Sequence, residues 1–214
     1  MANHPEAQRK AQEEIDQVIG PVQVAGFEHR DRLPYVEAIW QEVMRWKTIS
    51  QIGLPHAVLE DDEYQGYHIP KGSMILPQTG AFLRDPNVYK EPELFRPERF
   101  IGDNPEPHPE KAGQFGYGKR VCPGKGLANQ SGWLLIAQTL SAFSICERKD
   151  PHGNKIPIPT DGKSGLIYHA PDFVMDLQPR SEKHAEMLKD IEKGLRWDKG
   201  DSDELKKMGI LGTY

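Results

Sequence analysis

Cys122 is the residue of this sequence whose type and surroundings most clearly favour chemistry. Two glycines precede it and two follow it, namely Gly116, Gly118, Gly124 and Gly126, and an apolar helical pattern begins directly afterwards. Glycine permits positive φ angles and lets the backbone approach a flat ligand without a Cβ clash. A cysteine just before a helix N-terminus faces free backbone N–H groups and the positive end of the helix dipole. These surroundings favour the thiolate, the form of cysteine that binds a metal.

A lone cysteine in such a loop leaves more than one interpretation open. A zinc site needs several Cys or His ligands at close spacing, and neither a Cys-x-x-Cys nor a His-x-x-x-His pair is present. A structural cysteine in a glycine-rich turn is the simplest interpretation. One thiolate also suits the axial position of a haem iron, and Arg120 provides a cation for an anionic group of such a ligand. The other cysteine, Cys146, is predicted to be an ordinary buried small residue.

The cysteine loop resembles the haem-thiolate signature of the cytochromes P-450. The pattern Phe115-x-x-Gly118-x-Arg120-x-Cys122-x-Gly124 matches all five defining positions of that signature, which makes the match specific. The resemblance implies that Cys122 is the axial iron ligand of a haem cofactor (heme b, iron protoporphyrin IX). It also implies that further loop residues bind the cofactor: Phe115, Gly116, Gly118, Arg120 and Gly124.

A second motif, Glu42-x-x-Arg45, lies on a predicted helix. Residues three apart on a helix are neighbours, and taken alone such a pair is a surface ion pair worth roughly a few tenths of a kcal/mol. In the cytochromes P-450 a similar pair contacts an arginine of an irregular segment, which corresponds here to Arg99 in the sequence 95–100. A cluster of one carboxylate and two guanidiniums can fix neighbouring segments when it is partly buried and the arginines bind the carboxylate in bidentate geometry. The resemblance therefore implies that these three residues support the haem site structurally.

A third similarity concerns the segment 54–57, where the family places a basic residue against a haem propionate. The resemblance implies that His56 and Arg120 are the two propionate partners in this chain. Without the resemblance, a histidine at the start of a strand is simply a polar surface residue. The resemblance extends over residues 2–180, and the stretch 61–100 is similar to filamentous-fungal members of the family.

Helices, short strands and one long irregular segment are predicted to position these residues. Apolar spacing predicts helices over 5–18, 33–47 and 124–143, the last nearly apolar all round and therefore expected to be buried. Short strands are predicted at 56–59, 64–69, 73–77, 156–158, 166–168 and 173–177, with a polar turn at 60–63. Residues 84–113 are rich in Pro, Asp and Glu and predict an irregular meander, a kind of segment that is usually functional.

The expected fold class is mainly α with small β-sheets (α+β), the C-terminal portion of the cytochrome P-450 fold. Residues 1–180 are predicted to form the haem-binding portion, and the charged tail 181–214 a solvated helix or a partly disordered extension. A net charge of −5 gives no electrostatic reason to expect nucleic acid. The 2 cysteines exclude a disulfide framework and favour a reducing compartment. No 18-residue apolar run and no signal peptide occur, so no membrane anchor is predicted.

The resemblance also implies a reaction and partners. The parent reaction is insertion of oxygen from O2 into an apolar small-molecule substrate, with electrons from NADPH-cytochrome P-450 reductase docking near Lys119 and Lys125. Full-length relatives are expected at the endoplasmic reticulum membrane. Because the sequence has no predicted anchor, this chain is expected to be cytoplasmic or peripheral.

The sequence resembles only part of the family fold. The oxygen-activating motif of the family's long central helix, Ala/Gly-Gly-x-Asp/Glu-Thr, does not occur in residues 1–214, so no distal catalytic residue is predicted. Parts of the substrate pocket are expected in the strand after His56 and in the turn 164–167. The alternative hypothesis is a truncated, catalytically inactive gene product that binds haem weakly or not at all. A small Cys/His metal or redox domain is disfavoured by the missing ligands.

Overall fold

Three helices pack against one another at the centre of the molecule. The computed structural model describes residues 1–162 and 167–195. Its α-helices are α1 Pro5–Ile19, α2 Pro34–Trp46, α3 Thr79–Phe82, α4 Lys125–Ala142 and α5 Glu182–Gly194. The core is formed mainly by α1, α2 and α4, and its almost fully buried side chains are Ala11, Ile15, Ala25, Leu33, Val36, Ile39, Trp133, Ala137 and Leu140. On α1 and α2 these residues recur three or four positions apart, which places them on one face of each helix.

The strands are short and form three separate antiparallel pairs in the part of the chain that the structure describes. They are β1 His56–Ala57, β2 Asp62–Tyr64, β3 Tyr67–Ile69, β4 Met74–Ile75, β5 Phe143–Glu147 and β6 Met175–Pro179. β1 pairs with β4, β2 with β3 and β5 with β6. Two-stranded sheets of this size cannot bury a core of their own. The predicted class, mainly α with small sheets, is confirmed.

The N-terminus of α2 is capped by a residue of α1. Leu33 at the cap position has no side-chain acceptor, and the carboxylate of Glu14 accepts the N–H groups of Tyr35 (2.8 Å) and Val36 (3.1 Å) instead. Burial raises the pKa of Glu14, although these two N–H donors favour its charged form. This contact between helices satisfies backbone donors that would otherwise lie unpaired near the core.

The predicted helices are confirmed to within one residue at each end, but α4 corrects one expectation. It was expected to be buried all round, and one of its faces does pack on α1 and α2 through Trp133. Leu127 and Leu135, in contrast, are 77% and 69% exposed. No described residue covers that second face, so α4 is buried on one side only.

The predicted strands need several corrections. Residues 64–69 form part of a hairpin, in which Asp62 and Glu63, predicted to be in a turn, belong to β2. Residues 156–158 form no strand, and the neighbouring chain is held by an isolated bridge between Lys149 and Lys155. β5 was missed because its apolar residues continue the pattern of α4, and periodicity alone does not mark where a buried helix ends. Residues 163–166, which include most of the predicted turn 164–167 and the start of strand 166–168, lie outside the described residues.

Residues 84–113 are irregular, as predicted, apart from 3-10 helices at Pro97–Phe100 and Pro109–Ala112. In the charged tail, α5 packs against α4 and β6, with His184 only 5% exposed. The remainder of the tail, 196–214, lies outside the described residues, and the division of the chain at residue 180 stays a prediction. None of the described helices is both long enough and apolar enough to cross a bilayer.

Candidate functional site

The cysteine loop is closed by its own backbone at the N-terminus of α4. The N–H of Cys122 donates to the carbonyl of Phe115 at 2.7 Å, and the N–H of Lys125 donates to the carbonyl of Cys122 at 3.1 Å. Gly116 and Gly118 have φ angles of +85° and +52°, which favour glycine. The loop therefore turns back on itself through these glycines and presents Cys122 two residues before the helix cap.

The residues of this loop fit a haem-thiolate site better than other metal sites. Cys122 is exposed and forms no disulfide, and the described residues contain no group of three His, Cys, Asp or Glu that could hold a metal ion. A Cβ on Gly116 would lie 3.4 Å from the carbonyl oxygen of Arg120, and one on Gly124 would lie 3.8 Å from the Cys122 sulfur. A structural zinc ion needs four protein ligands, which this loop does not supply. The axial position of a haem iron needs only one, and a single accessible sulfur in a closely turned backbone suits it.

The two expected propionate partners are both accessible. Arg120 and its neighbour Lys119 are exposed, and neither side chain has a hydrogen bond or ion pair with another described residue. His56 is exposed at the start of β1, opposite Ile75 of β4. No hydrogen bond or ion pair among the described residues joins His56 to the cysteine loop. Its place beside Arg120 therefore stays a prediction.

The Glu42-x-x-Arg45 motif and Arg99 meet in the interior. Arg45 donates to both carboxylate oxygens of Glu42, at 2.7 and 2.9 Å, and Arg99 approaches the same carboxylate at 3.1 Å. All three side chains have no solvent exposure. A carboxylate between two guanidiniums forms charge-assisted hydrogen bonds, which compensate for the loss of hydration. The cluster joins α2 to the irregular segment that leads into the cysteine loop.

The remaining donors of the cluster are bound by the meander. The carbonyl of Leu94 accepts from both Arg45 and Arg99, at 3.3 and 3.1 Å. Glu106 forms a second ion pair with Arg99 at 2.6 Å. Glu106 was not predicted from the sequence, because an acidic residue in a segment full of acidic residues has no distinguishing pattern.

A polar network at the start of α4 was also missed. The carboxylate of Glu110 binds Lys125 at 2.5 Å and accepts from the Asn129 amide at 2.7 Å. Burial raises the pKa of Glu110, but the hydrogen bonds from Lys125 and Asn129 outweigh it and hold this pKa below its ordinary value. Lys125, which is expected to lie near the docking site of a partner protein, thus has its charge paired with Glu110, and its part in docking stays a prediction.

Comparison with known proteins decides the family. The sequence model of the family Cytochrome P-450 matches residues 1–175. The chain belongs to the cytochrome P-450 family. Among its curated relatives, the O-methylsterigmatocystin oxidoreductase of Aspergillus flavus is 40% identical over 210 residues, which cover 97% of this chain and 39% of the relative. Cytochrome P-450 monooxygenase claR of Ampulloclitocybe clavipes is 41% identical over 88% of this chain and 36% of its own length.

Solved structures of the family resemble this cytochrome P-450 chain as well. A zebrafish cytochrome P-450 determined with abiraterone has a TM-score of 0.72 and 29% sequence identity, covering 83% of this chain and 40% of that one. A zebrafish cytochrome P-450 determined with progesterone also has a TM-score of 0.72, with 30% identity, covering 84% of this chain and 39% of that one. The chain thus spans about two fifths of the length of the relatives and structures it matches. The fungal similarity inferred from residues 61–100 is confirmed by the fungal relatives.

Proposed function

We propose that this chain forms the haem-binding part of a cytochrome P-450 monooxygenase, with heme b bound through the thiolate of Cys122. The observation that carries the proposal is the accessible sulfur in a loop closed at the N-terminus of α4. The names of the relatives, an oxidoreductase and a monooxygenase, support this hypothesis over an inactive gene product. The activity of a whole protein that contains this sequence is part of the proposal.

The loop residues have distinct tasks in the proposed site. A bound thiolate-ligated haem supplies reductive activation of O2 and insertion of oxygen into an organic substrate, because thiolate donation favours cleavage of the O–O bond. Cys122 holds the iron, and the turn at Gly116 and Gly118 brings backbone rather than side chain towards the cofactor. Phe115 and Gly124 flank the sulfur in sequence. Arg120 and His56 donate hydrogen bonds to the propionates, for which their exposed side chains are free.

The electron donor in this proposal is NADPH-cytochrome P-450 reductase. Lys119 lies in the cysteine loop, exposed and without a described partner, so its charge is available for an acidic surface. Lys125 contributes less, because Glu110 already binds it. Exposed charges steer association more than they hold a complex together. We therefore assign the docking contact near the loop mainly to Lys119.

The substrate in this proposal is an apolar small organic molecule. Support comes from the relatives and neighbours whose names include O-methylsterigmatocystin, abiraterone and progesterone, all compact organic molecules. Nucleic acid is not proposed as a partner, because the net charge of −5 offers no basic footprint. For the full-length enzyme we propose a location at the endoplasmic reticulum membrane, together with its reductase.

The proposal is tested by the spectrum of the chain reconstituted with haemin, reduced and exposed to carbon monoxide. We expect a Soret band at the position typical of a thiolate-bound ferrous complex. Cys122→Ser should remove this band, whereas Cys146→Ser, the matched control on β5, should retain it. A chain that binds no haemin, or a band that survives Cys122→Ser, contradicts the proposal.

A further inference from the structure

The side chain of Asn129 is held at both ends of its amide. Trp40 Nε1–H of α2 donates to Asn129 Oδ1 at 3.1 Å, and Asn129 Nδ2 donates to Glu110 Oε1 at 2.7 Å. Because the amide oxygen and nitrogen each meet a partner of the opposite role, only one orientation satisfies both. The backbone carbonyl of Asn129 also accepts from Arg30 at 3.2 Å. The beginning of α4 is thus fastened to α2 and to the meander.

Glu110 is the residue of the meander that makes this connection. Its other oxygen, Oε2, lies 2.5 Å from Nζ of Lys125, one helical turn before Asn129. The N–H of Lys125 in turn donates to the carbonyl of Cys122. Glu110 is itself fixed, because its N–H donates to Nδ1 of His108 at the start of a 3-10 helix. A continuous path of contacts therefore leads from Glu110 through Lys125 to the ligand loop.

The same carboxylate balances a positive charge that is close to Cys122 in sequence. Lys125 follows Cys122 by three residues, and its cation would add to the positive end of the α4 dipole. The side chains of Lys125 and Glu110 are 39% and 25% exposed, so solvent screens their attraction only in part. With Glu110 in place the lysine charge is balanced. Without it, Lys125 would carry an unbalanced positive charge three residues after Cys122, and such a charge would favour the reduced state of an iron bound there.

From this arrangement we infer that Glu110 is a positioning residue for the Cys122 ligand. It fixes the first turns of α4 through Lys125 and Asn129, and it balances the lysine charge beside the thiolate. The inference rests on the proposed function, because it assigns Glu110 a role towards the haem ligand. Glu110 touches neither Cys122 nor, by this inference, the cofactor, so it acts only through its two partners.

The positioning effect is measured first on the haem-free chain, by hydrogen exchange at the amides of Lys125 and Ala128. Glu110→Ala should accelerate this exchange about three- to tenfold, because it removes one ion pair and one charge-assisted hydrogen bond. Glu110→Gln keeps an acceptor for Asn129 and should show a smaller increase. The matched control is Glu147→Ala, which breaks a 2.6 Å ion pair with Lys155 at similar carboxylate exposure, 23%, away from the loop. Exchange in Glu110→Ala no faster than in this control would overturn the inference.

The charge effect is measured on the haemin-reconstituted chain by spectroelectrochemistry. At a fixed applied potential, Glu110→Gln should raise the ferrous-to-ferric ratio about two- to fivefold. The double variant Glu110→Gln/Lys125→Met should return the ratio to that of the parent, which a purely structural defect would not do. An unchanged ratio in Glu110→Gln overturns the inference. Absence of the thiolate band from the parent chain overturns the proposed function instead, so the two failures are distinguishable.

Discussion

The buried cluster around Glu42 and the loop around Cys122 are both rich in polar groups, but only the cluster pairs its polar side chains within the protein. In the cluster, Arg45 and Arg99 share one carboxylate, and the carbonyl of Leu94 accepts from both of them. None of the three charged side chains is exposed. In the loop, the backbone is paired, but Cys122 and Arg120 remain accessible, and their side chains form no hydrogen bond or ion pair with described residues.

This difference separates the residues that hold the fold from those that are available to a ligand. A buried charge must be paired within the protein, because an uncompensated one costs several kcal/mol. An exposed charge has no such requirement and contributes little to stability. The Glu42 cluster therefore belongs to the framework, whereas the exposed side chains of Cys122 and Arg120 are expected to contribute little to stability. Substitutions in the two regions should differ accordingly.

The largest effect is expected for Glu42→Gln in the framework. This change leaves the buried guanidinium of Arg45 without a counter-charge and Arg99 with Glu106 alone. It should lower the free energy of unfolding by about 3–5 kcal/mol. Chemical denaturation of the haem-free chain measures it. The matched control is Asp190→Asn in α5, because Asp190 and Lys193 form an ion pair with the same i, i+3 spacing but 75% exposure.

For this control we expect a loss below about 0.5 kcal/mol. A similar loss in Glu42→Gln and Asp190→Asn would mean that burial does not distinguish the cluster from a surface pair. The assignment of Glu42 to the framework would then be wrong.

A smaller effect on stability is expected when glycines on the two faces of α4 are replaced by alanine. A Cβ on Gly132 would lie 2.3 Å from the ring of Trp40, whereas one on Gly126 would meet no atom within 4 Å. Gly132→Ala should destabilise the haem-free chain by about 1–3 kcal/mol through overpacking. Gly126→Ala should stabilise it by about 0.5–1 kcal/mol, because alanine suits a helix better. Thermal denaturation of both variants checks the signs, and equal signs would contradict the one-sided burial of α4.

The same contrast explains which features were predictable from the sequence. Motif resemblance located Cys122 and the partners of Glu42, and periodicity located α1, α2 and α4. Neither identified Glu106 or Glu110, because their importance depends on which distant side chains they meet and not on spacing along the chain. The exposed face of α4 was missed for a related reason, since Leu127 and Leu135 have the residue type of a core but no described neighbour to cover them.

A pH effect is expected at the end of the meander, where His108 accepts the N–H of Glu110 through Nδ1. Burial lowers the pKa of His108 below its ordinary value. Its stabilising contribution is therefore complete above about pH 6.5 and is lost as the pH falls through the lowered pKa. The free energy of unfolding should change less between pH 7.5 and pH 5.5 for His108→Asn than for the parent. The reason is that an asparagine cap keeps an acceptor that does not titrate. An equal difference in both proteins would contradict this role.

The smallest effect on stability is expected for Arg120→Gln in the cysteine loop. Arg120 is exposed and has no ion pair or side-chain hydrogen bond among the described residues, so its removal breaks no contact of the fold. The free energy of unfolding of the haem-free chain should change by less than about 0.5 kcal/mol. If Arg120 binds a propionate, as proposed, haemin should dissociate faster from the variant, which transfer to an excess of apomyoglobin measures. A large loss of stability in Arg120→Gln would show that the loop side chains also stabilise the fold. The distinction between the cluster and the loop would then be wrong.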